Sequence, residues 1–475
     1  MSNQQPNILL IVSEDHGLNL GCYGDQITKT PNLDRLASQG VRFENAYTTQ
    51  AVCSPGRASI FTGLYPHQNG QIGLATHFYS MYEDFPNIPS LLKNEGYRTG
   101  LIGKLHVNPE SAFPFDFRWR ESEYISFQHR DVQKTAEVAR DFMSASDSPF
   151  FLMIAYPDAH TPFLTQEVGV PEKPFEADDV ETLASVGVDS PRIRQQTADY
   201  YNCLSRLDTG VGMVLSHLSD LGKEDDTLVI FTTDHGPQVS RGKFTIYEGA
   251  IREPLIVRWP GESAEGRVRD QLISHVDILP TILDAVGVET PSHVVGKSIL
   301  PLVRGEEVAW REYLFAEWTS GAPVTYYPQR SVRDERYKLI VNFLQDRSNP
   351  SAVGYADGKW ETGAQREEIA ASDERVRSAY ACYENPPREE LYDLKTDPNE
   401  FEDLSGNPEL DGVKDRLRDQ LNAWQVDTQD GVRISEVLDR LTQAHDTTFA
   451  AHYRFEKSRR SRAPYTWDYH EYLRA

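Results

Sequence analysis

Asn7-Ile8-Leu9-Leu10-Ile11-Val12, running straight into Ser13-Glu14-Asp15, is an unbroken apolar stretch that stops on two carboxylates. A run this short and continuous reads as a strand covered on both faces, the kind that builds parallel sheets. The signature returns three times. Arg98–Ile102 precedes Lys104 and His106, Phe150–Tyr156 precedes Asp158 and His160, and Thr227–Thr232 precedes Asp234 and His235. Helical segments fall between. Pro31–Gln39 takes Thr30 as cap and ends at Gly40, Pro55–Thr62 takes Ser54 as cap, and Ser90–Glu95 ends at Gly96. Arg192–Leu221 spaces Tyr200, Leu204, Leu207, Val211, Val214 and Leu218 as one helix face, and Val276–Val286 is a further helix. Such alternation predicts an α/β domain, a mostly parallel sheet flanked by helices.

Beyond about residue 305 the pattern changes. Glu312–Trp318, Arg330–Asp334, Tyr337–Phe343 and Glu390–Leu394 read as strands of an antiparallel sheet, with Asp334-Glu335-Arg336 as a turn. Leu410–Trp424 reads as an amphipathic helix whose apolar stripe is core, and the polar stretch Asn349–Arg377 as a long loop. A chain of 475 residues exceeds one ordinary core. The expected division is a large domain over residues 1–305 and a smaller C-terminal α+β domain over 306–475. The latter ends in a solvated or docking tail from Tyr453, with Lys457, Arg459, Arg460 and Arg462.

The formal net charge of -24 repels nucleic acid and anionic membranes, so neither is expected as a partner. It also disfavours a grip on long polyanions. Cys22, Cys53, Cys203 and Cys382 make no disulfide framework or zinc spacing, and Cys22 and Cys203 read as inert thiols. No run is long enough to span a membrane. The opening MSNQQPNILLIV has no basic flank or cleavage site, so a cytoplasmic protein is expected.

In open α/β sheets, ligands gather beyond the carboxyl ends of the strands. Four strands ending in titratable pairs would put all four pairs on one edge. Glu14, Asp15 and Asp234 are hard oxygen ligands, with His235 beside them. Converging carboxylates repel one another unless a cation joins them. The oxygen-rich donor set points to Ca²⁺ or Mg²⁺, and His235, a softer ligand, keeps Mn²⁺ as a further alternative. Cys53-Ser54-Pro55-Gly56-Arg57 is the most specific stretch. It puts Cys53 just ahead of a helix N-terminus, where free N–H groups attract anions. Arg57 then falls in the first turn, against the helix dipole. A local rule broken in this way points to function: holding an anion or a modified Cys53.

C-x-P-x-R continued by A-S-x-x-T-G, over Cys53–Gly63, resembles the signature of the type I, formylglycine-dependent sulfatases. Other blocks similar to that family follow in order at Thr30–Ala37, Gly103–His106, His160–Phe163, Thr232–Gly236 and Gly242–Gly249. Within the family the chain looks most like the sulfamidases, the N-sulfoglucosamine sulfohydrolases. His67–Gly70, Gly103–Val107, Pro114–Phe117, Tyr327–Val332 and Glu390–Asp393 carry that likeness, which runs from about residue 6 to 430. It departs at Glu14, where the family has Asp. It departs from sulfamidases at His235 and Lys243, where this chain follows other sulfatases, and at Gly21–Asp25 and Ala75–Ser80.

The resemblance implies an alkaline-phosphatase-like fold, with residues 1–305 as the catalytic domain. It implies a hydrolase that removes sulfate from a sugar, the N-sulfate of glucosamine being the first candidate and an O-sulfate the alternative. A formylglycine-generating enzyme would convert Cys53 to Cα-formylglycine, whose hydrate attacks sulfur. Glu14, Asp15, Asp234, His235 and the modified Cys53 would hold the metal. Arg57, Lys104 and Lys243 would neutralise charge. His160 would protonate the leaving atom and His106 would take the proton whose loss expels sulfate. Asp158 would orient the sugar or His160. His67 and His77 read equally as pocket or packing residues, His16 as structural, and Arg252 as an internal salt-bridge partner. The partner implied is a small sulfated saccharide, and a homo-oligomer is compatible with it. Two rival readings stand beside this one. A phosphonate monoester or phosphodiester hydrolase would share the fold and site. A non-catalytic sulfate or glycan binder would have lost a site residue, whereas every expected position is filled.

Overall fold

The computed structural model describes residues 5–120, 130–449 and 469–473. Eight strands form the large sheet: Asn7–Ser13 (β1), Val41–Tyr47 (β2), Arg98–Gly103 (β3), Phe117–Trp119 (β4), Phe150–Ala155 (β5), Thr227–Thr233 (β6), Arg252–Arg258 (β7) and Arg267–Ser274 (β8). Their order is β4-β3-β5-β1-β6-β7-β2-β8, and only β7 runs against its neighbours. The fold is that of a mostly parallel, helix-flanked sheet. Successive residues of β1 show why its run is continuous. Leu9 and Ile11 enter one buried cluster, with the helix Pro191–Asp220, while Ile8, Leu10 and Val12 enter another, with the helices Cys53–Thr62 and Ile278–Ala285. Both faces of the strand are core.

A second, four-stranded antiparallel sheet follows: Leu314–Trp318 (β9), Gln329–Arg333 (β10), Tyr337–Asn342 (β11) and Glu389–Asp393 (β12), in the order β12-β11-β10-β9. The expected turn joins β10 to β11, with Asp334 Oδ1 accepting from the backbone N–H groups of Arg336 and Tyr337. The helix Asp411–Asp427 lays Leu417, Leu421 and Trp424 on Val332, Leu339 and Leu391. The larger buried cluster continues from β1 to Ala316, Trp318, Tyr327 and Tyr392.

Several local expectations change. The helix expected at Pro55 begins at Cys53, with extended Val52 flanking it. Ser54 is no cap, because its Oγ accepts from Ala75 N at 2.9 Å. Arg57 therefore stands in the second turn. Thr30 does not cap its helix either, its Oγ1 being engaged by Gly21 N and Asp34. Asn349–Arg377 is no loop. It folds as Pro350–Ala356, Arg366–Ala371 and the start of Glu374–Glu384, with Asn349 and Asp373 as caps and Tyr355 and Tyr380 buried in the main cluster. Arg252 donates to the carbonyl of Glu44 rather than to a carboxylate. The tail from Tyr453 to Arg462 lies outside the described residues. Among the described residues no helix is long and apolar enough to cross a membrane.

Candidate active site

Strands β3, β5, β1 and β6 are consecutive and parallel, so their carboxyl ends lie side by side. Register aligns Ser13 with Thr233 and Gly103 with Ala155. Lys104 and His106, Asp158 and His160, Glu14 and Asp15, and Asp234 and His235 thus emerge along one edge. Gly103 adopts φ +94° and lies so close to β5 that a Cβ would sit 2.2 Å from the Ala155 oxygen. Gly56 brings the helix of Cys53 onto the same edge, where a Cβ would meet the Asp234 oxygen at 2.7 Å. Asp15, His106, Arg241 and Phe244 hold positive φ in or beside the cluster. Unfavourable backbone gathered at one place is the pattern of a functional site.

Cys53 is buried at the centre. Its Sγ lies 3.5 Å from Lys243 Nζ, 3.5 Å from His235 Nε2 and 3.9 Å from Asp15 Oδ1. Burial alone would raise the thiol, but Lys104 and Lys243, helped by His106 and His160, hold it well below its ordinary value. Each carboxylate has a cationic neighbour. Lys104 Nζ is 2.7 Å from Glu14 Oε2, Arg57 Nε is 3.0 Å from Asp234 Oδ2, and Lys243 Nζ is 2.7 Å from Asp15 Oδ2. Arg57 also donates to the Lys104 carbonyl.

The donors fit a divalent cation. Single donor atoms of Asp15, Cys53, Asp234 and His235 lie within 4.8 Å of one another, as do those of Glu14, Asp15, Cys53 and His160. Glu14 Oε1 is buried and accepts no hydrogen bond, its cationic neighbour Arg57 Nη2 being 3.5 Å away. Burial lifts the Glu14 carboxyl above its usual range despite Lys104 and Arg57. His235 Nδ1–H donates to the Gly236 carbonyl, which turns Nε2 towards Asp15 and Asp234 at 3.2 and 3.7 Å. Burial alone would lower the ring, but Asp234 and Asp15 hold it above its ordinary value, so Nε2 becomes a ligand when a cation displaces its proton. Carboxylate oxygens with one imidazole suit Ca²⁺, Mg²⁺ or Mn²⁺.

Two other histidines flank the thiol. His106 is pushed down to about 4 by burial and by Lys104, so its ring is neutral near pH 7 and can take a proton. Its Nε2 is 3.3 Å from Thr76 Oγ1. His160, half-buried, donates from Nδ1 to the Thr161 carbonyl and turns Nε2 inward, 4.0 Å from Asp15 Oδ2.

The remaining expected residues stand apart. Asp158 faces away from the cluster, its carboxylate taken by Arg206 (2.9 and 2.6 Å) and Arg130 (2.6 Å). Arg130 also donates to the His160 carbonyl, so Asp158 bears on His160 through an arginine. His67 is a packing residue, ion-paired with Glu317 on β9, stacked on Tyr65 and edge-on to Trp424. His77 is half-buried in the turn Ala75–His77, beside Thr76. His16 is structural, bonded to Ser13 and Gly17. Sequence reasoning missed Arg130, Arg206 and Thr76. Only Arg206 left a signal, as a charge on the buried face of a long helix beside Cys203 and Leu207.

Residues 6–288 match the family described as Sulfatase. The chain belongs to the sulfatase family. Residues 241–350 of this sulfatase match N-sulphoglucosamine sulphohydrolase, C-terminal. It is 33% identical to human N-sulphoglucosamine sulphohydrolase, over 89% of this chain and 90% of that one. It is 31% identical to an ulvan-active sulfatase of Formosa agariphila, over 89% and 80%. Among solved structures it resembles a protein in complex with its substrate D-glucosamine-2-N,6-O-disulfate, with TM-score 0.68, 21% identity and coverage of 90% and 98%. It resembles phosphonate monoester hydrolase of Agrobacterium radiobacter with TM-score 0.67, 19% identity and coverage of 89% and 96%. The fold is alkaline-phosphatase-like, and the sulfatase is a hydrolase of sulfate esters or sulfamates, homologous to sulfamidases.

Proposed function

We propose that this sulfatase removes sulfate from a small sulfated sugar, with the N-sulfate of glucosamine as its substrate. The reading has Cys53 converted to formylglycine by a formylglycine-generating enzyme and a divalent cation, Ca²⁺ first, held by Glu14, Asp15, Asp234 and His235. The observation that carries it is the convergence of three carboxylates, three cations and two inward-facing histidines on Cys53. When present, the cation supplies Lewis acidity and the hydrated aldehyde supplies a nucleophile with a second hydroxyl.

The chain's own groups divide the remaining work. Lys104, Lys243 and Arg57 supply fixed positive charge around Cys53, so negative charge developing on sulfate oxygens needs no solvent reorganisation. His160, turned inward by the Thr161 carbonyl, is placed to protonate the leaving atom. That step weighs most for a sulfamate, whose nitrogen leaves poorly as an anion. His106, neutral and against Cys53, is placed to accept the proton from position 53 as sulfate departs.

The test compares sulfate release from glucosamine N-sulfate and N-acetylglucosamine 6-sulfate, with enzyme co-produced with a formylglycine-generating enzyme. Preference for the N-sulfate supports the reading. Preference for the 6-sulfate shifts it to an O-sulfatase, in keeping with Lys243 and His235. Faster turnover of phosphonate monoesters than of either sugar overturns it.

A further inference from the structure

The loop between Leu74 and Met81 is tied to the catalytic cluster at its start. Ala75 N donates to Ser54 Oγ at 2.9 Å, one residue from Cys53, and Thr76 Oγ1 sits 3.3 Å from His106 Nε2. Its crest is exposed: Phe78 is 45% accessible and holds φ +67°, an uncommon backbone for a bulky residue. Such a crest keeps one shape only when its surroundings hold it. The far end is gripped from a distant part of the chain. Tyr469 Oη donates to the Ser80 carbonyl and accepts from Ser80 N, both at 2.8 Å, and His470 Nε2–H donates to the same carbonyl at 2.9 Å. Tyr469 packs on Tyr79 and His470 on Tyr82, with ring centroids 5.2 and 4.6 Å apart. The grip is anchored, since Tyr469 and Leu473 are buried and the Leu473 carbonyl lies against Gly431. Three hydrogen bonds and two ring contacts on one residue and its neighbours exceed what a chain end needs to be covered.

We propose that Tyr469 and His470 are positioning residues of the active site, setting the shape of the Ala75–Ser80 lip from the far end of the described chain. The inference rests on the site described above, and on the sugar reading only for the choice of substrate. A lip held at both ends presents a fixed wall to the group that carries the sulfate. The wall matters for a sugar, which reaches the rim, and not for a small aryl sulfate, which fills only the cluster.

The experiment uses the full chain with Tyr469→Phe and His470→Ala, singly and together. Tyr469→Phe keeps the ring and loses the hydroxyl. Hydrogen exchange over residues 75–78 needs no substrate and is read first; faster exchange there, with the helix of Cys53 still protected, is expected. KM for the sulfated sugar that the wild type turns over should rise about fivefold to tenfold, as two lost hydrogen bonds imply. kcat on a small aryl sulfate should stay, and the Tm should fall by no more than about 1–3 °C. Unchanged exchange and unchanged KM overturn the proposal. So does a fall in Tm with equal losses on both substrates, which marks a merely structural contact. A wild type that cleaves no sulfated sugar defeats the substrate reading, while exchange at the lip still decides this one.

Discussion

Replacing Arg57 by leucine isolates the electrostatics of the site. Arg57 is fully buried, with Nε 3.0 Å from Asp234 Oδ2 and Nη1 3.2 Å from the Lys104 carbonyl. Taking one partner from a buried pair costs about 3–5 kcal/mol. The stranded carbonyl adds about 1 kcal/mol, and leucine returns about 1–2 kcal/mol by burial. The net loss of about 3 kcal/mol should lower the Tm by about 3–6 °C in a chain of this size. A cation held by Asp234 supplies the missing charge, so the drop is largest in EDTA and shrinks with added Ca²⁺. Acid narrows it too. Burial alone would raise the Asp234 carboxyl, but His235 and Arg57 hold it below its ordinary value. A depressed carboxylate stabilises above its unfolded value of about 3.9 and loses that contribution as pH falls. Calorimetry of both proteins in EDTA and in Ca²⁺, from pH 7 down past the unfolded value to about pH 2.5, reads all of this. A drop of equal size with and without cation, or none in either, refutes a shared hold on Asp234.

Cys53→Ala is expected to abolish sulfate release while calorimetry finds the fold intact; residual turnover near wild type removes Cys53 as nucleophile precursor. Asp158→Ala leaves Arg130 and Arg206 as buried charges without their carboxylate. It should cost about 3–5 kcal/mol, seen as a lower Tm and a poorer soluble yield. Burial lifts Glu400 to about 7 despite Lys338, with Glu248 adding to the rise. Its folded value exceeds the unfolded one, so its contribution is full below about pH 4.5 and is lost as pH rises through 7. Gln mimics the protonated form at every pH. The Tm difference between Glu400→Gln and wild type should therefore grow in favour of the variant from pH 6 to pH 8.

What the sequence disclosed follows from how local each signal is. The four strand ends were legible because a strand buried on both faces must be apolar throughout, and its end is where polarity returns. Glu14, Asp15, Lys104, His106, His160, Asp234 and His235 were singled out that way and converge in the structure, as do Cys53 and Arg57, although Arg57 falls in the second helical turn rather than the first. Strand β2 was not seen, because Arg42, Glu44 and Asn45 break its apolar run. Antiparallel β7 followed no helical crossover that could have announced it. Asn349–Arg377 misled through composition, its helices being set by the caps Asn349 and Asp373 and by tyrosines turned inward. His67 and Asp158 carry titratable groups of the right kind, yet Glu317, Arg130 and Arg206 claim them from elements far along the chain. Which partner a buried charge finds is a long-range fact with no local trace.

The burial of Cys53 sets a clock. The thiol is 1% exposed, and its enclosure needs the end of β6 and Lys243, roughly 190 residues further along the chain. At a synthesis rate of about 5–20 residues per second, that separation lasts about 10–40 s. The proposed conversion of Cys53 would have to fall within that interval, before the sheet edge closes around the side chain. Under that proposal, production that outran the converting enzyme would fix the thiol in a finished molecule, beyond the reach of later treatment unless the molecule were unfolded again.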